Sequence, residues 1–206
     1  MPLSEARGYK ELEAKKVYFL RHGDTGLPGR YIGATDAPLT DRGREQVGKT
    51  GALLRAKGIT KIVCSPMLRC RQTLEQLGLS CSCQFNGLLR EIDFGRWEGK
   101  NFQEIVRLDK KLVDSWVAAP GAFSFPGGES LTAFRKRVST FKTLLEKMVE
   151  ENILVISHGG FIRYLLCLLL GLDFDNYLLF DVKPGCFCSI RLYAEGGVLT
   201  GFNIKG

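Results

Sequence analysis

The sequence predicts an α/β protein of three layers, a sandwich in which helices cover both faces of a mostly parallel central sheet. Short apolar runs alternate along the chain with longer amphipathic segments, which is the pattern of this fold class. Two of the runs, residues 17–20 and 153–156, are each followed by a polar residue, a histidine and a glycine. With 206 residues, the chain is expected to form one domain over residues 1–206.

The bulk composition is that of an ordinary globular protein, with 45% hydrophobic and 25% charged residues. Its net charge of +7 favours anionic partners, namely nucleic acid, phosphorylated metabolites or acidic membranes, although a solvated basic surface would account for it equally well. Residues 1–15 read as a polar extension that is neither a secretory signal nor a transit peptide. The longest apolar run, residues 161–172, contains Arg163 and is too short to span a bilayer. We therefore expect a cytoplasmic protein that does not bind membranes.

Four of the seven cysteines form two closely spaced pairs, Cys81 with Cys83 and Cys186 with Cys188. Their one-residue spacing differs from the two-to-four spacing of zinc-binding hairpins. In a strand, each pair would point to one face, where small apolar side chains pack well. We favour this packing role over metal binding, and we expect no disulfide framework.

The first half of the chain predicts two strands and two helices. After the strand at residues 17–20, the Gly- and Pro-rich residues 26–38 form a loop at the carboxyl end of a strand, where α/β sheets bind ligands. Thr40 is expected to cap a helix that runs to about residue 57 and ends at Gly58. A short strand follows at residues 61–64.

Ser65 and Pro66 predict the start of the next helix, with the serine as N-cap and the proline in the first helical position. Arg69 and Arg71 then point to different sides of that helix, so at most one of them is expected to enter a site.

Residues 88–99 contain three acids among apolar residues and glycines, in a pattern too irregular for a helix. A carboxylate held in such a loop can act as a general acid or can be purely structural. For Asp93 and Glu98 we favour a structural role in pairing with nearby arginines.

The second half predicts short helices and a loop over residues 100–129, which would cover the strand ends. Apolar residues at spacings of three and four indicate a core-packing helix from residue 131 to 148. A strand that ends at His158, an apolar helix to about residue 170, and two strands at residues 185–193 and 198–203 complete the chain.

The only two histidines of the chain, His22 and His158, each follow a predicted buried strand and precede a glycine. An arginine and a histidine at a strand end, beside a glycine that lets the backbone turn, suit the binding of an anion. We expect the two strand ends to meet in one site.

Five short motifs occur in a characteristic order, and together they are specific where each alone is weak. They are Arg-His-Gly-Asp-Thr at residues 21–25, Asp-Ala-Pro-Leu-Thr-Asp-Arg-Gly at 36–43, Ser-Pro-Met-Leu-Arg at 65–69, Arg-Glu-Ile-Asp-Phe-Gly-Arg-Trp-Glu-Gly at 90–99, and Ser-His-Gly-Gly at 157–160. From about residue 16 to its end, the chain resembles the histidine phosphatase superfamily. The branch in question contains cofactor-dependent phosphoglycerate mutases, fructose-2,6-bisphosphatases and α-ribazole phosphatases.

This resemblance implies a phosphoglycerate mutase-like fold and a role for each motif. His22 matches the nucleophile, Glu91 the acid/base glutamate and His158 the second catalytic histidine. Arg21 and Arg69 match the phosphate-binding arginines, which selects Arg69 over Arg71.

The chain departs from the family at Pro28, where members often carry an asparagine that contacts the phosphate. Thr25 or a backbone N–H is the expected replacement, unless phosphate binding is weaker than in other members. Gly33 and Gly159 are further candidates for phosphate or substrate contacts.

The expected chemistry is hydrolysis of a phosphomonoester through a phosphohistidine. A neutral His22 would attack phosphorus in line, while Arg21, Arg69 and a protonated His158 hold the phosphoryl oxygens. Glu91 would protonate the leaving oxygen and then activate water. We expect no metal and no cofactor, because the cationic groups already neutralise the phosphate.

The substrate is expected to be a small-molecule phosphomonoester. Residues 126–130 and 181–190 are similar to α-ribazole phosphatases of the cobalamin pathway. A broad-specificity or sugar-phosphate phosphatase and a phosphoglycerate mutase are the enzyme alternatives. A phosphate-sensing protein and a nucleic-acid-binding protein are the disfavoured non-enzyme alternatives, the latter because the chain has no basic stripe with interleaved aromatics. We expect no nucleic-acid partner and leave a homodimer open.

Overall fold

The structure, a computed structural model, describes residues 14–206, so most of the polar extension, residues 1–13, lies outside the described residues. Strands and helices alternate in the order β1 Lys15–Arg21, α1 Asp41–Arg55, β2 Lys61–Cys64, α2 Leu68–Leu77, β3 Cys83–Phe85, α3 Phe102–Ala118, α4 Leu131–Lys147, β4 Asn152–Ser157, α5 Gly159–Leu169, β5 Phe187–Tyr193 and β6 Gly196–Ile204. Short 3₁₀ turns lie at Gly87–Leu89, Gly95–Trp97, Pro120–Ala122 and Phe174–Leu179.

The six described strands form one sheet in the order β3-β2-β4-β1-β5-β6. The pairings β3–β2, β2–β4 and β4–β1 are parallel, whereas β1–β5 and β5–β6 are antiparallel. The predicted mostly parallel α/β sheet is therefore confirmed. Because β1 and β4 are parallel neighbours, their carboxyl ends reach the same edge of the sheet.

The two faces of the sheet are covered by different helices, as the three-layer prediction requires. In β1, Val17 and Phe19 pack into a core with α3, α4 and α5, whereas Tyr18 and Leu20 pack into a second core with α1 and α2. This alternation follows from the two-residue period of a strand. A strand buried on both faces appears in the sequence as a continuous apolar run.

Local sequence signals placed most of the helix ends. Thr40 caps α1 as predicted, and its hydroxyl accepts the N–H of Gly43 at 3.0 Å. The predicted start of the next helix at Ser65 is wrong, because α2 begins at Leu68 with Met67 as its N-cap. In α3, the non-helical backbone angles of Asp109 produce a kink that separates two shorter helical segments, in agreement with the short helices predicted for this region.

The seven cysteines all lie in the described part of the chain and are free thiols. Cys186 and Cys188 are buried, whereas Cys81 and Cys83 are half-buried. Within residues 14–206, no group of three histidine, cysteine or acidic side chains is placed to hold a metal ion. None of the described helices is both long enough and apolar enough to span a bilayer.

Candidate active site

The two histidines meet at the carboxyl edge of the sheet. Arg21 lies opposite Ser157 in the β1–β4 register, so the residues that follow each strand are neighbours. The ring centroids of His22 and His158 are 5.2 Å apart. The predicted meeting of the two strand ends is therefore confirmed.

His22 is held as a neutral imidazole with one defined tautomer. Its Nδ1 lies 2.8 Å from the carbonyl oxygen of Gly23, which can only accept, so Nδ1 carries the proton and Nε2 carries a lone pair. Burial lowers the pKa of His22 well below its usual value, and the charges of Arg21 and Arg69 lower this pKa further. The ring is thus an uncharged potential nucleophile.

Arg69 is a fully buried cation whose guanidinium is tied to the protein on three sides. Its Nε–H donates to Nδ1 of His158 at 3.0 Å, and its Nη1 and Nη2 donate to the carbonyls of Thr35 and Gly33 at 2.8 and 2.9 Å. Arg71 is exposed on the other side of α2. The prediction that at most one of these two arginines enters the site is confirmed.

His158 is completely buried and, in this structure, neutral. Because Arg69 can only donate to Nδ1, the proton of His158 lies on Nε2, which is 2.9 Å from the hydroxyl oxygen of Ser65. Burial, and after it the charge of Arg69, lowers the pKa of His158 well below its usual value. The protonated His158 expected from the sequence belongs to the phosphate-bound state, whereas the hydrogen bond from Arg69 and the burial of the ring favour the neutral form in the free protein. Sequence reasoning missed this role of Ser65, whose position after β2 suggested only a helix cap.

Glu91 reaches the first turn of α5, although it belongs to the loop before α3. Its Oε2 accepts the N–H of Gly160 at 2.8 Å, and its Oε1 accepts the N–H of Phe161 at 3.2 Å. A carboxylate is favoured at a helix N-terminus, where unpaired N–H groups and the helix dipole attract negative charge. A Cβ at position 160 would lie 2.6 Å from Glu91 Oε1, so this approach needs a glycine.

The guanidinium of Arg21 packs against the start of α5 and has one buried N–H donor without a hydrogen-bond partner in residues 14–206. Its Nη1 donates to the carbonyl of Val182 at 2.7 Å, while its buried Nε has no hydrogen-bond partner among the described residues. A Cβ on Gly159 would lie 3.2 Å from Arg21 Cζ, so Gly159 and the guanidinium are packed against each other. Burial lowers the pKa of Arg21, an effect that the negative charge of Glu91 opposes.

Glu98 holds the loop at residues 33–35 through backbone amides. Its two carboxylate oxygens accept N–H groups from Gly33, Ala34, Thr35 and Phe94 at 2.8–3.1 Å, and the Thr35 hydroxyl at 2.6 Å. The preference for a structural role is supported, but the expected arginine partner is wrong, because backbone N–H groups take its place.

Gly33 contributes to the site by binding Arg69, and its backbone N–H and carbonyl both have partners within the protein. Its N–H is bound by Glu98 and its carbonyl by Arg69. A Cβ at this position would lie 1.8 Å from the carbonyl oxygen of Ile92, so only glycine fits. The backbone of Gly33 and Thr35 therefore connects the Glu98 carboxylate to the Arg69 guanidinium, because each residue binds Glu98 through its N–H and Arg69 through its carbonyl.

The loop after β1 contains the position at which the chain departs from its family pattern. Pro28 is exposed, whereas Thr25 is half-buried. The Thr25 hydroxyl makes no hydrogen bond to any residue in 14–206. Asp93 lies in the loop at residues 88–99, here called the Glu91 loop, and accepts the N–H of Gly95 at 2.8 Å. This bond agrees with the predicted structural role, but a backbone N–H again takes the place of the expected arginine.

Comparison with known proteins decides the family. The model of the histidine phosphatase superfamily (branch 1) matches residues 17–205, which is nearly all of the described chain.

The chain belongs to the histidine phosphatase superfamily.

Relatives of this histidine phosphatase include enzymes with different names. The adenosylcobalamin/α-ribazole phosphatase of Escherichia coli (strain K12) is 29% identical over 92% of this chain and 96% of that protein. A probable phosphoglycerate mutase, GpmB, of Salmonella paratyphi B is 32% identical over 76% of this chain and 75% of that protein. The crystal structure of the α-ribazole phosphatase from Shigella flexneri superposes with a TM-score of 0.84 and 28% identity, over 92% of this chain and 96% of that chain.

These comparisons confirm three predictions: the family, its phosphoglycerate mutase-like fold, and an enzyme of the phosphatase class. The protein is a histidine phosphatase.

Proposed function

We propose that this histidine phosphatase hydrolyses phosphomonoesters through a phosphohistidine on His22. The observation that carries the proposal is the hydrogen bond from His22 Nδ1 to the carbonyl of Gly23, which leaves the Nε2 lone pair available for attack. Around this ring stand the guanidinium groups of Arg21 and Arg69, whose charges both act on the pKa of His22. Arginine donors match the oxygens of a phosphoryl group, where negative charge is concentrated.

In the first step, Nε2 of His22 attacks phosphorus in line and the ester P–O bond breaks. Glu91 donates a proton to the leaving oxygen, which departs as an alcohol. In the second step, Glu91 accepts a proton from water as that water attacks phosphorus, and the P–N bond breaks. The products are the alcohol and inorganic phosphate, and His22 returns to its neutral form.

His158 would change its protonation state during binding. A phosphoryl dianion next to this buried ring favours the protonated form, because opposite charges attract strongly where water is excluded. The Nε–H of Arg69, which now points at the ring, would then turn to a phosphoryl oxygen. These side chains supply the positive charge of the mechanism, and no step requires a metal or a cofactor.

We infer that α-ribazole 5′-phosphate is the first substrate to test. Two relatives that cover more than nine tenths of this chain are named α-ribazole phosphatases. A broad-specificity or sugar-phosphate phosphatase and a phosphoglycerate mutase are the alternatives. We further propose that the protein is cytoplasmic and does not bind nucleic acid. Whether it forms a homodimer is left open.

The decisive experiment is to trap the phosphoenzyme. Wild-type protein mixed briefly with a 32P-labelled phosphomonoester and quenched in base should carry an acid-labile label, and His22→Ala should carry none. A labelled His22→Ala protein would overturn the assignment. A phosphate-release assay over a panel of phosphomonoesters, with α-ribazole 5′-phosphate included, then ranks the substrates. Transfer of the label to a second hydroxyl compound in preference to water would favour the mutase.

A further inference from the structure

Arg137 of α4 binds the backbone of the loop that carries Glu91. Its Nη1 donates to the carbonyls of Leu88 and Arg90 at 2.8 and 2.6 Å, and its Nη2 donates to the carbonyl of Glu91 itself at 3.3 Å. One guanidinium therefore holds three carbonyls within four consecutive positions of an irregular loop. A loop with no ladder of its own needs such outside partners for its backbone groups.

Arg137 is itself held in place by Glu129. Nε and Nη2 of Arg137 meet the two oxygens of the Glu129 carboxylate at 3.0 and 2.7 Å, which is a bidentate pair. The two side chains are only 16% and 20% exposed, so solvent screens the pair little. The guanidinium also lies over the ring of Phe134, 4.8 Å from its centroid. Its orientation is thus set by charge and by packing.

The Glu91 loop is therefore restrained by hydrogen bonds on two sides. On one side Arg137 binds the Glu91 carbonyl, and on the other the N–H groups of Gly160 and Phe161 bind the Glu91 carboxylate. The backbone N–H of Glu129 provides a third restraint, because it donates a hydrogen bond to the carbonyl of Asp93 at 2.9 Å. The backbone and the carboxylate of the same residue are therefore both restrained.

We propose that Arg137, anchored by Glu129, is a positioning residue that sets the distance between the Glu91 carboxyl group and the leaving oxygen of the substrate. The inference rests on the proton-donor role of Glu91 given under the proposed function. General acid catalysis requires hydrogen-bond reach, and a misplacement of about 1 Å can cost about 100-fold in rate. Arg137 acts through Glu91 and does not itself touch the reacting atoms.

This role predicts a dependence on the leaving group that a purely structural role does not. A nitrophenolate departs without a proton, so hydrolysis of p-nitrophenyl phosphate depends little on the placement of Glu91. An alkoxide needs the proton, so hydrolysis of glycerol 2-phosphate depends on it strongly. The ratio of kcat/KM for these two substrates does not change with the fraction of folded protein in the sample.

The experiment measures that ratio for wild type, Arg137→Gln, Glu129→Gln, Glu91→Gln and a control, Arg135→Gln. Arg135 lies on the same helix and forms an ion pair with Asp175 at 2.6 Å, and its side chain makes no hydrogen bond to residues 88–99. We expect the ratio of the nitrophenyl to the glycerol substrate to rise about 10- to 100-fold in Arg137→Gln. It should rise less in Glu129→Gln, which keeps the carbonyl contacts, and remain at the wild-type value in Arg135→Gln.

The Glu91→Gln variant separates the two ways in which the idea can fail. If Glu91→Gln raises the ratio and Arg137→Gln lowers both rates equally, Arg137 is only structural and the positioning role is refuted. If Glu91→Gln leaves the ratio unchanged, the proton-donor role fails, and the positioning role fails with it. A rise in Arg135→Gln as large as that in Arg137→Gln would also count against the inference, because it would reflect general loosening of α4.

Discussion

The Nε–H of Arg69 donates to Nδ1 of His158 across 3.0 Å, and only the arginine can be the donor in that bond. An always-charged group thereby holds a buried imidazole in its neutral form. The same proximity explains why the charge of Arg69 lowers the pKa of both His158 and His22. The positive charges of Arg21 and Arg69 thus oppose protonation of both histidines in the free protein.

Lowering the pH should destabilise the folded protein already at pH values above those at which carboxylates titrate. Both native histidine pKa values lie well below 6.5, whereas in the unfolded chain each histidine takes up its proton near pH 6.5. Below that pH the unfolded state binds more protons, so the free energy of unfolding falls by up to about 1.4 kcal/mol per pH unit for each histidine. Urea unfolding between pH 7 and about pH 5.5, in buffers without phosphate, measures this slope.

The sequence contains only two histidines, so no other histidine contributes to that slope. The variant His22→Asn should retain about half of it, because one of the two titrating groups has been removed. A stability that stays constant over this range would contradict the neutral, buried state of both rings.

Arg69→Met should impair both catalysis and folding. We expect kcat/KM to fall about 100-fold or more through the loss of a phosphate donor. The free energy of unfolding should fall by about 2 kcal/mol or more, because the carbonyls of Gly33 and Thr35 lose their donor. Steady-state kinetics and urea unfolding report the two losses. Arg71→Met, at the exposed neighbour on the same helix, should change neither quantity appreciably, and equal effects at both positions would refute the assignment.

Gly33→Ala should inactivate the enzyme by shifting the loop that holds Arg69. The new methyl group would lie 1.8 Å from the carbonyl oxygen of Ile92, so the loop must move away from Glu98. We expect a loss of about 1–3 kcal/mol in stability, together with a raised KM. Gly48→Ala is the matched control, because a Cβ there meets no atom within 4 Å, and it should be neutral or slightly stabilising. Full activity in Gly33→Ala would show that the loop does not position Arg69.

Thr25→Val tests how the site manages without the family asparagine at Pro28. The Thr25 hydroxyl makes no hydrogen bond to the described residues, so its removal should leave the free energy of unfolding unchanged. If it binds the phosphoryl group, the inhibition constant for inorganic phosphate should rise about 5- to 10-fold, as expected for one lost hydrogen bond. An unchanged inhibition constant would leave the role to a backbone N–H group.

Local patterns in the sequence were sufficient for five of the six described strands and for the elements that lead into the site, whereas the short edge strand β3 was not predicted. Strands β1 and β4 are buried on both faces, and such strands appear as continuous apolar runs. The glycines after His22 and His158 marked where each strand stops. Caps such as Thr40 depend on contacts within three residues, so they too could be predicted from neighbouring residues.

Contacts between distant parts of the chain could not be predicted in this way. Ser65 has the local signature of a helix cap, yet its hydroxyl meets His158, which is far away in the sequence. Glu98 was expected to pair with an arginine, yet the loop at residues 33–35 offers it a set of backbone N–H groups. Arg137 belongs to none of the sequence motifs, yet its guanidinium binds carbonyls of the Glu91 loop. In each case the partner depends on which loops the sheet brings together.

By itself, the sequence determined the fold class, the family and the identity of the catalytic candidates, because periodicity and short motifs are properties of neighbouring residues. Only the tertiary structure decided the charge state of His158 and the restraint on Glu91. Protonation and orientation depend on burial and on the donors and acceptors that surround a group. Those surroundings are assembled from segments that meet only when the chain has folded.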